Sequence, residues 1–480
     1  MIRRRVPRAY LVIGACCLAT CREGVGPVIG PPGLRILSGS GTDTVGARLT
    51  APIVVELRDS LGLVVQNAIV QFTGCCGALV SGDTLQFDYS PVLTAHTDPA
   101  GQARAYVQLG PTAESVFVTI HALKDTVRAG YLVRVGNLAR IIFGVRDSAA
   151  YVGSGYRVRA YAGDRFGNRR PDALSYTASS SVLSVDTTGQ LTALAIGRGA
   201  VVVRVGSIVD FAWVTVPPHG VVTAFDVGQG YGGSVGIVAF QLDGSDYRVL
   251  DTMAYDPYTG AWPTWSSSGQ VLYTAGGYGN EHLYFVDTLG GPPRPALASS
   301  PVSKELFGSV SRNGAWFYFS SGNDLWRVRP DGEDAVDLGV DSLFANSHSR
   351  PSASSDGSRV VVLSAPLFSS TTDVSVVDPE RALVTDLSVG GNPAFPRWSP
   401  GDSLILFWSG SALWVTTPTG LGTRQATPMG LEYEMGADWS PDGHWLITRH
   451  ANVLELLNLE TNQRLPLPYS FRFVQPSWRP

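Results

Sequence analysis

Apolar and polar positions along this chain alternate in short runs rather than in helical stripes. From Gln102 to Leu109, Ala103, Ala105, Val107 and Leu109 fall on one side, the period-two mark of a half-buried strand. Ile53 to Leu57, Val64 to Phe72 and Val116 to Ala122 are further β-rich runs, broken by turns at Asp59-Ser60-Leu61-Gly62 and Thr97-Asp98-Pro99-Ala100-Gly101. This rhythm predicts a β-sandwich over about 34–135. A second β unit is predicted over 136–217. Tyr156 to Tyr161 alternates, Asp164-Arg165-Phe166-Gly167-Asn168 turns, and Val182 to Val185, Leu191 to Ala193 and Gly199 to Val205 follow. Pro217-Pro218 closes the unit, because tandem prolines cannot donate to a ladder.

From 218 onward the pattern repeats. Trp265, Val310, Ala353, Trp398, Trp439 and Trp478 align at spacings of 45, 43, 45, 41 and 39 residues. After each of the first five comes a polar turn (SSSG, SRNG, SSDG, SPGD, SPDG), and then an apolar strand such as Leu404 to Trp408. Such a period with four strands per unit predicts a β-propeller. Val221 to Val227, Gly236 to Leu242 and Tyr247 to Leu250 lack a first strand, which Gln475 to Arg479 can supply. Six blades closed by this 3+1 exchange leave no open sheet edge. Ten of the eleven tryptophans lie in 262–480, as expected if large rings fill the spaces between blades. The expected fold class is all-β: two sandwiches in tandem, then a six-bladed propeller.

Three resemblances sharpen this. VVELRDSLGLVVQNAIVQF, HTDPAGQARAYVQLG and VFVTIHA resemble the invasin/intimin type of bacterial Ig-like domain. The order from Ser181 to Val205 (SVLSVDTTGQLTALAIGRGAVVVRV) resembles the second common bacterial Ig-like type. Pro396-Arg397-Trp398-Ser399-Pro400 and Asp438-Trp439-Ser440-Pro441-Asp442-Gly443 resemble the TolB-like propeller family. That family's partner-binding N-terminal domain has no counterpart here, so its specific role does not carry over.

Composition bears on localisation and partners. The formal charge is -4 with no basic stripe, which argues against nucleic acid as a partner. Arg3, Arg4, Arg5 and Arg8 precede the uncharged stretch Ala9 to Thr20. That run is shorter than the roughly 20 residues of a membrane span and has the form of a signal peptide over residues 1–20. Leu18-Ala19-Thr20-Cys21 resembles a bacterial lipobox, and the resemblance implies lipidation of Cys21. Cys16, in Ile13-Gly14-Ala15-Cys16, is the second candidate, and a secretory signal without lipid the third reading. Residues 21–33, rich in Pro and Gly, form a tether. The expected location is the bacterial cell envelope, anchored to a membrane by lipid. Cys75-Cys76 reads as a pair of small residues in a turn, with a strained ring between adjacent cysteines as the alternative.

Enzyme-like motifs are weak. Gly228 to Gly233 matches G-x-G-x-x-G and Gly232 to Gly236 matches G-x-S-x-G, yet both need a helix to follow and a strand does. The seven histidines show no metal spacing. No catalytic residue, metal ligand or cofactor is therefore assigned. Asp331 to Asp334 reads as a hairpin turn. Three residues before each aligned position stand Trp262, Phe307, Arg350, Phe395, Gly436 and Gln475. Three aromatics and an arginine there are the candidate binding residues at the propeller mouth, with blade-to-blade packing as the competing reading. The expected function is a non-catalytic envelope lipoprotein whose Ig-like stalk presents a propeller to a protein or glycan. The alternative is an exported glycan lyase or hydrolase with its site in the propeller mouth.

Overall fold

The computed structural model describes residues 29–83, 88–226, 236–252, 262–276, 280–297, 299–300, 302–322, 324–338, 350–364, 371–427, 433–450, 453–468 and 473–480. The signal, Cys16, Cys21 and most of the glycine-rich stretch 228–236 lie outside these residues; Gly236 itself opens the strand Gly236–Gln241. The described residues are all-β. They fall into two compact units: residues up to Arg140 together with Ala162–Pro171, and Ile141–Tyr161 together with Asp172–Pro480.

The first unit is a sandwich. One sheet orders Gly33–Ser38, Ile53–Arg58, Gln102–Gln108 and Leu79–Ser81; the other orders Gly41–Thr44, Asp125–Arg134, Ser115–Ala122, Ile69–Gly74 and Val92–His96. Ala103, Ala105 and Val107 point into one core with Val70, Phe72, Val118 and Ile120, as the alternation requires. The segment Ala162–Pro171 lies within the stretch that the sequence groups as 136–217, but it packs in this unit. Its anchor is Asp164, fully buried. Its carboxylate accepts the backbone N–H groups of Gly136, Phe166 and Asn168 at 2.8–3.0 Å. The Asn168 amide in turn donates to Pro111 O and accepts from Ala113 N. Cys75 and Cys76 are free thiols, Cys76 in a left-handed turn at φ 58°.

The second unit begins with a sheet ordering Asp147–Ala149, Ile208–Val216, Gly197–Val205 and Ser175–Ala178. Six four-stranded sheets follow among the described residues. The innermost strands of the first five are Thr264–Trp265, Leu306–Val310, Ser352–Ala353, Ala394–Trp398 and Tyr433–Trp439. The sixth sheet pairs Phe473–Trp478 antiparallel with Val221–Asp226, then adds Gly236–Gln241 and Arg248–Asp251. Each innermost strand touches the next, and Phe473–Trp478 touches Thr264–Trp265, so the ring closes. This is the 3+1 closure expected from the repeat.

The spaces between blades are apolar. Trp398 packs with Val361, Leu363 and Phe407; Trp439 with Leu406, Leu446 and Leu457; Trp478 with Val222, Leu454 and Leu456. The repeated turns have a structural cause. The hydroxyls of Ser266, Ser311, Ser354, Ser399 and Ser440 accept the N–H of Gln270, Trp316, Arg359, Leu404 and Trp445 at 2.8–3.1 Å. The hydroxyls of Ser354 and Ser440 donate to Asp356 and Asp442 two residues on. The serine-turn phrase is thus a self-contained hairpin lock.

Candidate functional site

The site is built from the innermost strands. The residue three before each aligned position sits at positive φ in all six blades: Trp262 45°, Phe307 56°, Arg350 34°, Phe395 58°, Gly436 116° and Gln475 52°. Side chains other than glycine occupy this region at a cost of order 1–3 kcal/mol each, so tertiary packing must hold them there. The strand pairing slips at the same place, between Leu306 and Ser309, Ala394 and Arg397, and Tyr433 and Ala437. The bulge re-aims the side chains, as β-bulges do.

The structure brings Trp262, Phe307, Arg350 and Phe395 together. The Arg350 guanidinium carbon lies 4.1 Å from the Trp262 ring centre, 3.9 Å from that of Phe395 and 5.2 Å from that of Phe307. Trp262 stacks on Phe395 at 4.9 Å and meets Phe307 edge-on at 6.0 Å. Its backbone N–H donates to Gln475 Oε1 at 3.0 Å, joining a fifth residue of the same repeat. The space left beside the cluster is about 10 Å³, barely one water. Phe307 and Phe395 are buried, whereas Trp262 and Arg350 are half-buried. The aromatic faces are already taken by this chain's own cation, so the cluster is a filled plug rather than an empty recess.

The open space lies beside it, and a different repeated position lines it. One residue before each aligned position stand Thr264, Ser309, Ser352, Arg397, Asp438 and Ser477. These six polar residues border one cavity of about 110 Å³, together with Arg312, Ser355 and Asp402. Several of them stitch one blade to the next. Ser309 Oγ accepts the N–H of Ala353 at 3.0 Å, and Ser352 Oγ that of Trp398 at 3.2 Å. Asp438 Oδ2 accepts the N–H of Trp478 at 3.0 Å and the hydroxyl of Ser477 at 2.8 Å, and Oδ1 accepts Trp439 N–H at 2.9 Å. Desolvation pushes the Asp438 carboxyl above its ordinary range, against the pull of the Arg397 charge and the donated hydrogen bonds. Arg397 borders both the cavity and the aromatic plug.

Sequence reasoning picked the position that forms the plug and passed over the one that lines the cavity. A signal was present: this position is polar in all six copies, although inner strands of a propeller are otherwise buried. Among the described residues, no group of three His, Cys, Asp or Glu side chains is placed to hold a metal. Asp331 to Asp334 is a turn, with Gly332 N–H donating to Arg329 O and Asp334 paired to Arg329.

Fold and site together define a six-bladed β-propeller with a polar axial cavity. No family model matches the sequence, and no curated protein is similar to it at a significant level. Among solved structures, TolB from Acinetobacter baumannii is similar at 14% identity and TM-score 0.45, over 64% of this chain and 83% of that one. A nidogen/laminin complex is similar at 10% identity and TM-score 0.43, over 55% and 99% of the two chains. A gluconolactonase from Xanthomonas campestris is similar at 14% identity and TM-score 0.38, over 53% and 90%.

Proposed function

We propose that this protein is a non-catalytic binding protein of the bacterial cell envelope, in which Ig-like modules form a stalk and the propeller is the recognition head. Export rests on the basic and apolar N-terminal pattern, and the tether on Cys21, with Cys16 as the second candidate. The observation that carries the binding role is the axial cavity: six polar side chains, one from each blade, converge on about 110 Å³ of open space. Ligand sites favour such convergent polar groups in a concave setting. The partner is an envelope protein or a glycan. The test is capture of envelope components by the mature chain, compared with an Arg397→Ala variant of matched melting temperature. Loss of a wild-type partner in the variant supports the reading; identical capture by both overturns the assignment to the cavity.

A second reading, an exported glycan lyase or hydrolase, is favoured by one observation. Asp438 is a desolvated carboxyl in that cavity, with its proton affinity raised, as general acids often are. Turnover of an oligosaccharide panel that is lost in Asp438→Asn would establish it over the binding reading.

A further inference from the structure

The donor and acceptor inventory of the axial cavity points to one ligand chemistry. Among the described residues, the Arg397 guanidinium takes part in no hydrogen bond or ion pair, and its charge acts on Asp438 only at longer range. A guanidinium carries five N–H donors in a planar fork that matches a carboxylate. Ser309 and Ser352 accept a backbone N–H each, which leaves their hydroxyl protons to be given elsewhere. Thr264, at the same level of the ring, makes no hydrogen bond through its side chain among the described residues. The acceptors are largely used. Asp438 takes three hydrogen bonds, and Asp402 accepts the N–H and hydroxyl of Ser355 at 2.5–3.1 Å. The cavity therefore offers spare donors around two guanidinium groups, Arg397 on the inner strand and Arg312 in the turn beside it, and few spare acceptors, which disfavours a cationic guest.

We infer that the axial cavity binds a carboxylate group, with Arg397 as its charge partner and Ser309, Ser352 and Thr264 as hydroxyl donors. The two acids on the lining, Asp402 and Asp438, offset the two arginines, so a singly charged guest is favoured over a phosphate dianion, whose second charge meets no surplus of cations. The volume, about 110 Å³, is several times the roughly 10–15 Å³ that one water needs, enough for a carboxylate and a short stem. Such a group comes either from a free acid, such as a sugar acid, or from the C-terminus of a peptide entering the mouth. The inference rests on the binding reading proposed above and specifies its ligand.

The experiment is calorimetric titration of the full mature chain at millimolar ligand. The probes are glucuronate, glucose, inorganic phosphate, and the tripeptide trialanine with a free or an amidated C-terminus. Binding of glucuronate without glucose assigns a free acid; binding of trialanine without its amide assigns a peptide terminus. In either case Arg397→Gln should weaken binding at least tenfold, and Arg397→Lys less than that, with melting temperatures within a degree or two of wild type. Equal binding of the neutral and charged member of each pair overturns the inference, as does phosphate binding more tightly than both carboxylates, an Arg397→Gln variant that binds as wild type, or no binding by any probe. If the probes fail while envelope capture still depends on Arg397, the carboxylate inference falls and the binding reading stands. If capture fails as well, both fall.

Discussion

The carboxylate of Asp438 in the fifth blade accepts the backbone N–H of Trp478 in the closing strand, at 3.0 Å. The same oxygen accepts the Ser477 hydroxyl. One side chain thus fastens the strand that completes the ring, and Trp265 Nε1–H does the same from the other side by donating to Ser477 O at 3.0 Å. Replacing Asp438 by Ala leaves a buried N–H and a buried hydroxyl without their acceptor. The expected loss is roughly 2–4 kcal/mol of propeller stability, since each unsatisfied buried group costs about 1–3 kcal/mol. Asp438→Asn keeps one oxygen acceptor and should lose less. Denaturant melts of the two variants check the order; equal losses would mean that the hydrogen bonds do not hold the strand.

The sandwich should respond to acid in the opposite sense to the propeller ring. Glu56 is buried between Arg58 and Arg35, with N–O distances of 2.7 and 2.6 Å. The hydrogen bond from Arg58 leads in holding its carboxyl below the ordinary value of 4.5, with Arg35 adding to it and burial opposing. A lowered folded-state value means stability that is present above about pH 4.5 and is lost as pH falls through the folded value. Asp438 has a raised value, so its contribution is greatest below its unfolded value and is lost as pH rises through the folded one. A pH series of melting curves should show a sandwich transition that drops on acidification and flattens in Glu56→Gln. A Glu56→Gln profile with the wild-type slope would refute the assignment.

The Arg350 cluster should behave as core. Phe395 is buried and bears on both Arg350 and Trp262. Phe395→Ala should therefore cost about 3–5 kcal/mol, the usual range for deleting a core aromatic. Arg350→Met keeps much of the volume and removes the cation; the loss expected is on the order of 1–2 kcal/mol from desolvated cation–π contacts. If Phe395→Ala instead leaves the melting temperature unchanged and abolishes partner capture, the cluster is a recognition surface and not a plug.

The propeller was legible because its repeat is carried by residues with fixed physical jobs. Tryptophans fill the blade interfaces, and serines lock the turns through hydrogen bonds that require a small hydroxyl. The closing strand was legible from the missing first strand near residue 221. The location of the open space was not. Aromatics and an arginine at one repeated position look like a recognition surface in sequence, but the backbone at that position is left-handed in every blade and turns the side chains onto one another. Gly436 at the same position was the available hint of positive φ. The affiliation of Ala162–Pro171 was also hidden, because it depends on Asp164 reaching Gly136 across 28 residues of chain, a contact that no local pattern encodes.

Tyr151 couples the region before the propeller to the propeller itself. Its ring stacks on His219 at 4.0 Å, and it shares an apolar cluster with Leu242, Trp445 and Trp478. Its hydroxyl reaches Gly220 O at 3.1 Å and Gln241 Oε1 at 3.2 Å, and burial leads in raising its proton affinity. Thr215 adds a hydrogen bond from its hydroxyl to Pro466 O at 2.8 Å. These contacts predict that the sheet built on Ile208–Val216 and the propeller unfold in one calorimetric transition. Tyr151→Phe keeps the ring and loses only the hydroxyl's partners, at about 0.5–1.5 kcal/mol, so the single transition should persist a few degrees lower. Tyr151→Ala removes the ring from the shared cluster, at about 3–5 kcal/mol, and should split the transition in two. Two transitions already present in the wild-type second unit would show that Tyr151 is surface decoration on an independently folded ring.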